Sequence, residues 1–193
     1  RFVIIMHVSI IIPAFNARQT VSACLHACQN QRLPANVQLE IILVDDGSSD
    51  DTAALAEGAG VPPIRHATQQ GAAAARNSGL AAATGEIILF TDADCVPTPN
   101  WVSEMIRPFA HSTISGAKGI YATNQPQLVA RFVQVEYEDK YDLLRGQPTI
   151  DFIDTYSAGY RAKILRESGG VDEAIRYVED QELSFRLAAA GHQ

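Results

Sequence analysis

The sequence lacks the features that mark several classes of protein. Its three cysteines, Cys24, Cys28 and Cys95, are an odd number with no zinc-binding spacing, so neither a disulfide framework nor a zinc site is predicted. The only long apolar stretch, 2–12, is interrupted by polar residues and is shorter than the roughly 20 residues that span a membrane. A net charge of −7 argues against a nucleic-acid partner held by phosphate contacts. The sequence therefore predicts an acidic globular protein whose cysteines are free thiols.

A missing motif and the composition further restrict the possible classes of protein. No G-x-G-x-x-G segment follows the first strand signal, which argues against a dinucleotide oxidoreductase. Aromatic residues make up only 7% of the chain, whereas apolar residues make up 47%, an ordinary globular balance. A length of 193 residues is enough for one α/β domain with its own core.

Strand and helix signals alternate through the first half of the chain. Short apolar runs bounded by Pro, Gly and Asp predict strands, and the segments between them predict helices. This order predicts an α/β fold with a Rossmann-like, mostly parallel central sheet flanked by helices. The predicted strands are 8–12, 39–44, 64–67 and 86–91, and the predicted helices are 17–31, 51–57 and 70–83.

The second half has fewer strands and longer helices. Its helix 127–144 carries Phe132, Tyr137 and Tyr141, which could line an acceptor groove or touch a membrane interface, but packing against the sheet is favoured. We predict one domain, 1–193, and expect a further strand or helix to follow, because the chain stops directly after a helix-stop signal. The other predicted elements are helices 100–109 and 178–190 and strands 114–122 and 155–161.

The triplet Asp92-Ala93-Asp94 is the most informative local feature. It directly follows the predicted buried strand 86–91, so both acids lie at the carboxyl end of that strand, where open α/β sheets bind ligands. Neighbouring carboxylates repel each other, and a hard cation such as Mg²⁺ or Mn²⁺ relieves that repulsion and can bind a diphosphate. A solvated turn is the alternative explanation.

Six segments in the same order resemble the family-2-type glycosyltransferases of the GT-A fold, which are inverting and use nucleotide sugars. The resemblance covers nearly the whole chain and implies a nucleotide-sugar-binding half, 1–95, and an acceptor-binding half, 96–193. The segments are Val8 to Asn16, Ile42 to Thr52, Gly71 with Ala75 to Leu80, Asp92 to Asp94, Ser157 to Gly159 with Gly169 to Glu173, and Val178 to Leu183.

The resemblance implies a role for each residue of the donor site. The loop Pro13, Ala14, Phe15 and Asn16 would wrap the ribose and base. Asp46 would accept the ring N–H of uracil, while Asp45 shapes the turn. The Arg76 fork would face the base or the diphosphate, with an exposed helix arginine as the alternative. In the acidic triplet, Asp92 and Ala93 would contact the nucleotide. Asp94 would bind the metal, and Asp92 would be a second ligand of the same metal.

On the acceptor side the resemblance implies a general base. Asp180 would accept the proton of the acceptor hydroxyl, which then displaces the nucleoside diphosphate with inversion. Glu179 and Glu182 are rivals on the same helix start, and favourable charge at a helix N-terminus is an alternative explanation for all three. Gly159 and Glu179 are predicted on the acceptor or donor-sugar side.

Other functions compete with this interpretation. A strand ending in Asp-x-Asp also occurs in phosphatases with an aspartate nucleophile, although there the motif begins the domain. A non-catalytic nucleotide-sugar-binding module is the second rival.

The expected partners are a nucleoside-diphosphate sugar, chiefly a UDP-sugar, and a saccharide or lipid-linked acceptor. Free thiols favour a cytoplasmic location, with the inner face of the membrane as an alternative. His26, His66 and His111 fall outside every motif and are predicted to be ordinary surface or core histidines.

Overall fold

A computed structural model describes residues 5–123, 125–147, 149–150 and 152–192. The strands are β1 Met6–Ala14, β2 Val37–Asp45, β3 Ile64–Arg65, β4 Ile87–Thr91, β5 Gly116–Lys118 and β6 Ser157–Arg161. The helices are α1 Val21–Gln29, α2 Thr52–Gly58, α3 Ala72–Ala82, α4 Trp101–Ile106, α5 Leu128–Leu144, α6 Ala162–Glu167 and α7 Glu179–Ala189, and a 3₁₀ turn covers Arg107–Ala110.

The strands form one sheet in the order β3-β2-β1-β4-β6-β5. Strand β1 pairs in parallel with β2 and β4, and β2 pairs in parallel with β3. Only β6 runs the other way, antiparallel to both β4 and β5. The prediction of a mostly parallel α/β sheet is therefore confirmed. The carboxyl ends of β2, β1 and β4 lie side by side, so the polar residues that follow them meet at one edge.

Helices cover both faces of the sheet. Apolar residues of α1 and α4 pack with Ile10 and Leu89 on one face. Residues of α3, α6 and α7 pack with Ile11 and Phe90 on the other. Because both faces of β1 and β4 are buried, these strands are continuous apolar runs. Gly79 lets α3 approach the sheet closely, since a Cβ there would lie 2.3 Å from the Ile11 side chain.

The structure differs from the sequence-based predictions in three respects. Strand β5 has three residues rather than the predicted 114–122. The short helix α6 was not predicted, because six residues are too few to show a helical period. The prediction that helix 127–144 packs against the sheet is wrong, since α5 has no buried residue. The other helices already cover both faces of the sheet, so α5 lies outside the core.

Within the described ranges, we find no helix that is both long and apolar enough to span a membrane.

Candidate functional site

A cavity of about 460 Å³ opens where β1, β2 and β4 end and α3 begins. Every residue predicted from sequence to bind nucleotide lines it, together with the predicted metal ligand. These residues are Pro13, Ala14, Phe15, Asn16, Asp46, Arg76, Asp92, Ala93 and Asp94. The cavity thus joins four segments that are far apart in the chain.

The loop after β1 is held to the turn after β2. Asn16 has a positive φ of 49°, a conformation that asparagine tolerates better than most residues. Its backbone N–H donates to Ser48 Oγ at 2.9 Å, and its side-chain oxygen accepts the Ser49 N–H at 2.9 Å. Phe15 is left 43% exposed at the cavity. A large aromatic side chain is therefore available to a ligand at a fixed position.

The two aspartates after β2 do different things. Asp45 is fully buried and accepts the Ser48 N–H at 3.1 Å and the Arg65 Nε–H at 3.2 Å, so it shapes the turn as predicted. Asp46 lines the cavity, and three donors hold its carboxylate. Oδ1 contacts His66 Nδ1 at 2.7 Å and accepts the Gln70 N–H at 2.9 Å, and Oδ2 accepts the Gly71 N–H at 2.8 Å. The Asp46 carboxylate is consequently fixed in orientation.

The acids after β4 lie at the opposite side of the cavity. Asp94 is exposed, and the Asp92 side chain is 37% exposed. Burial raises the pKa of Asp92, Arg76 opposes that shift, and the negative charge of Asp94 adds to it. The pKa of Asp92 therefore lies above its usual range, chiefly because burial disfavours the charged form and secondarily because Asp94 adds a second negative charge nearby. A cation placed between them would relieve this repulsion.

These carboxylates suit a hard divalent cation. One oxygen of Asp92 is bonded to Arg76, which leaves the other oxygen and the exposed Asp94 carboxylate as ligands. No group of three or more His, Cys, Asp or Glu side chains that could hold a metal by itself exists in the part of the chain that the structure describes. Mg²⁺ binds characteristically through one or two carboxylates plus substrate phosphates, so the donor set fits that mode.

Arg76 is the buried centre of the site. Its side chain is 4% exposed, so the alternative of an exposed helix arginine is wrong. Nη2 donates to Asp92 Oδ1 at 2.9 Å and Nη1 donates to Glu179 Oε1 at 2.9 Å. Nε is buried and has no hydrogen-bond partner among the described residues. Arg76 thereby joins the acidic triplet to the first residue of α7.

Helix α7 begins at a strained residue. Val178 has a φ of 60°, which is a rare conformation for a β-branched side chain and is often found at functional sites. The two glutamates of the first turn are both engaged, Glu179 by Arg76 and Glu182 by Arg186 at 2.7 Å. Asp180 accepts the Gln181 N–H at 2.9 Å, and no ion pair to it occurs within the described ranges. Of the three acids, Asp180 is therefore the one whose carboxylate forms no ion pair with a described residue.

Gly159 lies apart from the cavity. It is in β6, opposite Leu89 of β4, and a Cβ there would approach Leu89, Phe109 and Met105 within 3.4 Å. A glycine at this position permits close packing in the core. Its predicted place on the acceptor or donor-sugar side finds no support in this position.

Sequence reasoning missed a buried ionic cluster near α7. Lys118 contacts the Asp154 carboxylate, which also accepts from Lys140 at 3.3 Å and from the Tyr156 hydroxyl at 3.1 Å. Burial and the neighbouring Lys140 lower the pKa of Lys118 to about 8, while the negative charge of Asp180 acts in the opposite direction. The members come from three separate segments, so no local motif could have revealed them.

Comparison with known proteins agrees with this geometry. The family described as Glycosyl transferase family 2 matches residues 9–169. The pre-mycofactocin glycosyltransferase of Mycobacterium tuberculosis is 29% identical over 171 residues, covering 79% of this chain and 34% of that protein. The Escherichia coli enzyme WfgD, named UDP-Glc:alpha-D-GlcNAc-diphosphoundecaprenol beta-1,3-glucosyltransferase, is 33% identical over 130 residues, covering 65% of this chain and 50% of that protein.

A solved structure extends the likeness to the whole fold. The mannosyltransferase PcManGT from Pyrobaculum calidifontis, in complex with GDP-Man and Mn²⁺, superposes with a TM-score of 0.79 at 21% identity. The match covers 98% of this chain and 54% of that structure, so the chain spans about half the length of that protein, as it does of WfgD. The fold is GT-A, and the chain belongs to glycosyltransferase family 2.

Proposed function

We propose that the protein transfers a sugar from a nucleoside-diphosphate sugar, chiefly a UDP-sugar, to a hydroxyl group of a saccharide or lipid-linked acceptor. The observation that carries this proposal is the single cavity in which the Phe15 loop, Asp46, Arg76 and the acidic triplet converge. It offers an aromatic ring, a fixed acceptor for a base N–H, and two carboxylates for a metal-bound diphosphate. Membership of the family supports the same reaction class and removes the support for an aspartate-nucleophile phosphatase.

The proposed step is a single displacement. Asp180 takes the proton from the acceptor hydroxyl, and that oxygen forms a bond to the anomeric carbon. The bond between the anomeric carbon and the diphosphate oxygen breaks, and the nucleoside diphosphate leaves with the electron pair. Attack from the face opposite the leaving group inverts the anomeric configuration. A divalent cation bound at Asp92 and Asp94 would neutralise charge on the departing diphosphate.

The names of similar proteins support the substrate classes. WfgD is named for a UDP-glucose donor and a diphosphoundecaprenol-linked acceptor. PcManGT was solved with a guanosine donor and Mn²⁺. Both uracil and guanine carry a ring N–H that a carboxylate can accept, so each suits Asp46. We therefore propose uridine as the preferred base and guanosine as the second candidate.

Donor binding is expected to depend on the metal. Calorimetric titration of the wild-type protein with UDP should show much tighter binding with Mn²⁺ than with a chelator, because the diphosphate and the acids of the triplet repel each other. Asp94→Ala should weaken binding in Mn²⁺ but should not weaken it in chelator, where its loss relieves the repulsion. Equal affinity with and without the metal would contradict the metal role. UDP binding without transfer to any acceptor or to water would instead favour a binding module.

Base specificity is expected to depend on Asp46. UDP should bind about tenfold more tightly than CDP, since the uracil N–H donates to the carboxylate whereas the unprotonated ring nitrogen of cytosine faces it as a second acceptor. Asp46→Asn should reduce this preference, because an amide can donate as well as accept. Competition among UDP, GDP and CDP for one fluorescent nucleotide would measure it. A preference for CDP would overturn the assignment.

A further inference from the structure

His66 connects three elements beneath the proposed base site. Its Nδ1 lies 2.7 Å from Asp46 Oδ1, and its Nε2 lies 2.8 Å from Ser78 Oγ. The His66 side chain is 8% exposed and that of Asp46 is 4% exposed. The ring follows β3, the carboxylate follows β2, and the hydroxyl belongs to α3. A partly buried chain of hydrogen bonds therefore runs from Asp46 at the cavity wall through His66 to helix α3.

The hydrogen bonds of the carboxylate leave room for one more donor. An ionised carboxylate offers about four acceptor positions. His66 Nδ1 and the Gln70 N–H take up Oδ1, while the Gly71 N–H occupies one position on Oδ2. The remaining position on Oδ2 belongs to a residue that lines the cavity. If the His66 contact were lost, Oδ1 would have a free acceptor position, and the ring N–H of a base would no longer meet a single defined acceptor.

We infer that His66 is a positioning residue that determines base specificity by presenting one oxygen of Asp46 to the ring N–H of the nucleobase. The inference rests on the proposed function, because it takes Asp46 to be the base-binding group. His66 is not among the residues that line the cavity, so its effect on the base passes through Asp46. The backbone donors Gln70 and Gly71 fix the position of the carboxylate, and His66 fixes which oxygen stays available.

The contacts also assign the proton on the ring. A carboxylate can only accept, so Nδ1 must carry hydrogen. In the neutral ring Nε2 is then an acceptor, and the Ser78 hydroxyl donates to it. Long-range nitrogen–proton spectra of the wild-type protein can read this tautomer directly. A neutral ring protonated at Nε2 would place no N–H toward Asp46 and would overturn the inference without any variant.

Three substitutions separate positioning from mere filling of space. In His66→Asn the amide nitrogen can take the place of Nδ1, whereas in His66→Gln it lies nearer the place of Nε2. His66→Leu has no donor at all. His111→Leu is the matched control, because His111 is exposed and, among the described residues, only its backbone is hydrogen-bonded. For each variant, calorimetry in Mn²⁺ gives the UDP and CDP affinities, and a thermal melt verifies folding.

We expect His66→Leu to lose about tenfold in UDP affinity with little change for CDP, so that the preference collapses. His66→Asn should keep most of the preference, His66→Gln should keep little of it, and His111→Leu should match the wild type. A purely structural role would weaken UDP and CDP in the same proportion, and that result would overturn the inference. Retained preference in folded His66→Leu would also overturn it.

The wild-type titration separates this inference from the proposed function. If the wild type binds no nucleoside diphosphate, the proposed function fails and the inference fails with it. If the wild type prefers UDP and His66→Leu keeps that preference, only the inference fails. If His66→Leu does not fold, the comparison of His66→Asn with His66→Gln decides, because these two amides differ chiefly in where the N–H group lies.

Discussion

Replacing Asp180 by asparagine should slow sugar transfer by ~10²–10⁴-fold, the usual cost of removing a general base. Asparagine keeps the shape of the side chain and removes its basicity, so UDP affinity should stay unchanged. Asp180 lies outside the residues that line the nucleotide cavity, which is why the two quantities should separate. The measurement is the transfer rate of the full-length protein to an acceptor that the wild type uses, alongside UDP titration of each variant.

The neighbouring glutamates supply the controls. Glu182→Gln should transfer at a rate near that of the wild type, because Glu182 pairs with Arg186 on its own helix. Glu179→Gln should slow transfer less than Asp180→Asn does, since Glu179 is bonded to Arg76 and is not free to act as a base. Wild-type transfer by Asp180→Asn would make Glu179 the better candidate. Lost UDP binding in that variant would indicate a structural or donor-side role.

Replacing Arg76 by methionine should affect both stability and donor binding. The guanidinium group is buried and bridges Asp92 to Glu179, and breaking a buried ion pair by removing one partner commonly costs about 3–5 kcal/mol. We expect a loss toward the lower end, about 3 kcal/mol in the free energy of unfolding, because Asp92 is partly exposed and water can reach it. Urea denaturation measures this loss, and UDP titration in Mn²⁺ measures the effect on the donor site.

Two further variants sharpen the interpretation. Arg76→Lys keeps the charge but lacks the fork that reaches two carboxylates, so it should fall between the wild type and Arg76→Met. Arg107→Met is the matched control, because Arg107 is 80% exposed and Glu104, one helical turn away, is its only ion-pair partner among the described residues. If Arg76→Met were as stable as Arg107→Met, the bridge would contribute nothing to the free energy of unfolding. If Arg76→Lys matched the wild type in both assays, charge alone would matter.

Local patterns predicted the first half of the fold well. Strands β1, β2 and β4 are apolar runs, and each of their ends lies within two residues of the end predicted from sequence. The acids after these strands were recognisable because strand, turn and helix signals lie within a few residues of each other. Once the strands are known to be parallel and adjacent, the segments that follow them must meet at one edge.

Other features depend on contacts between distant segments. The buried bridge of Arg76 to Glu179 joins residues 103 positions apart, and the contact of His66 with Asp46 joins residues 20 apart. Neither pair leaves a spacing in the chain that a periodic pattern could show, so the sequence does not decide between an exposed and a functional Arg76 and predicts that His66 is an ordinary histidine. Helix α5 illustrates the same limit, because its amphipathic sequence predicts a helix but not what covers it.

The sequence by itself determined the order of the strands and of every helix except the short α6, the acidic turns and the family, because each is written in residues close together along the chain. The tertiary structure alone decided which acids are held by hydrogen bonds or ion pairs. Glu179 is bonded to a buried arginine, Glu182 is bonded to Arg186, and Asp46 is held by three donors, while Asp180 forms no ion pair with any described residue. The physical reason is that a carboxylate has the same composition wherever it occurs, and its chemistry depends on the donors that folding brings to it.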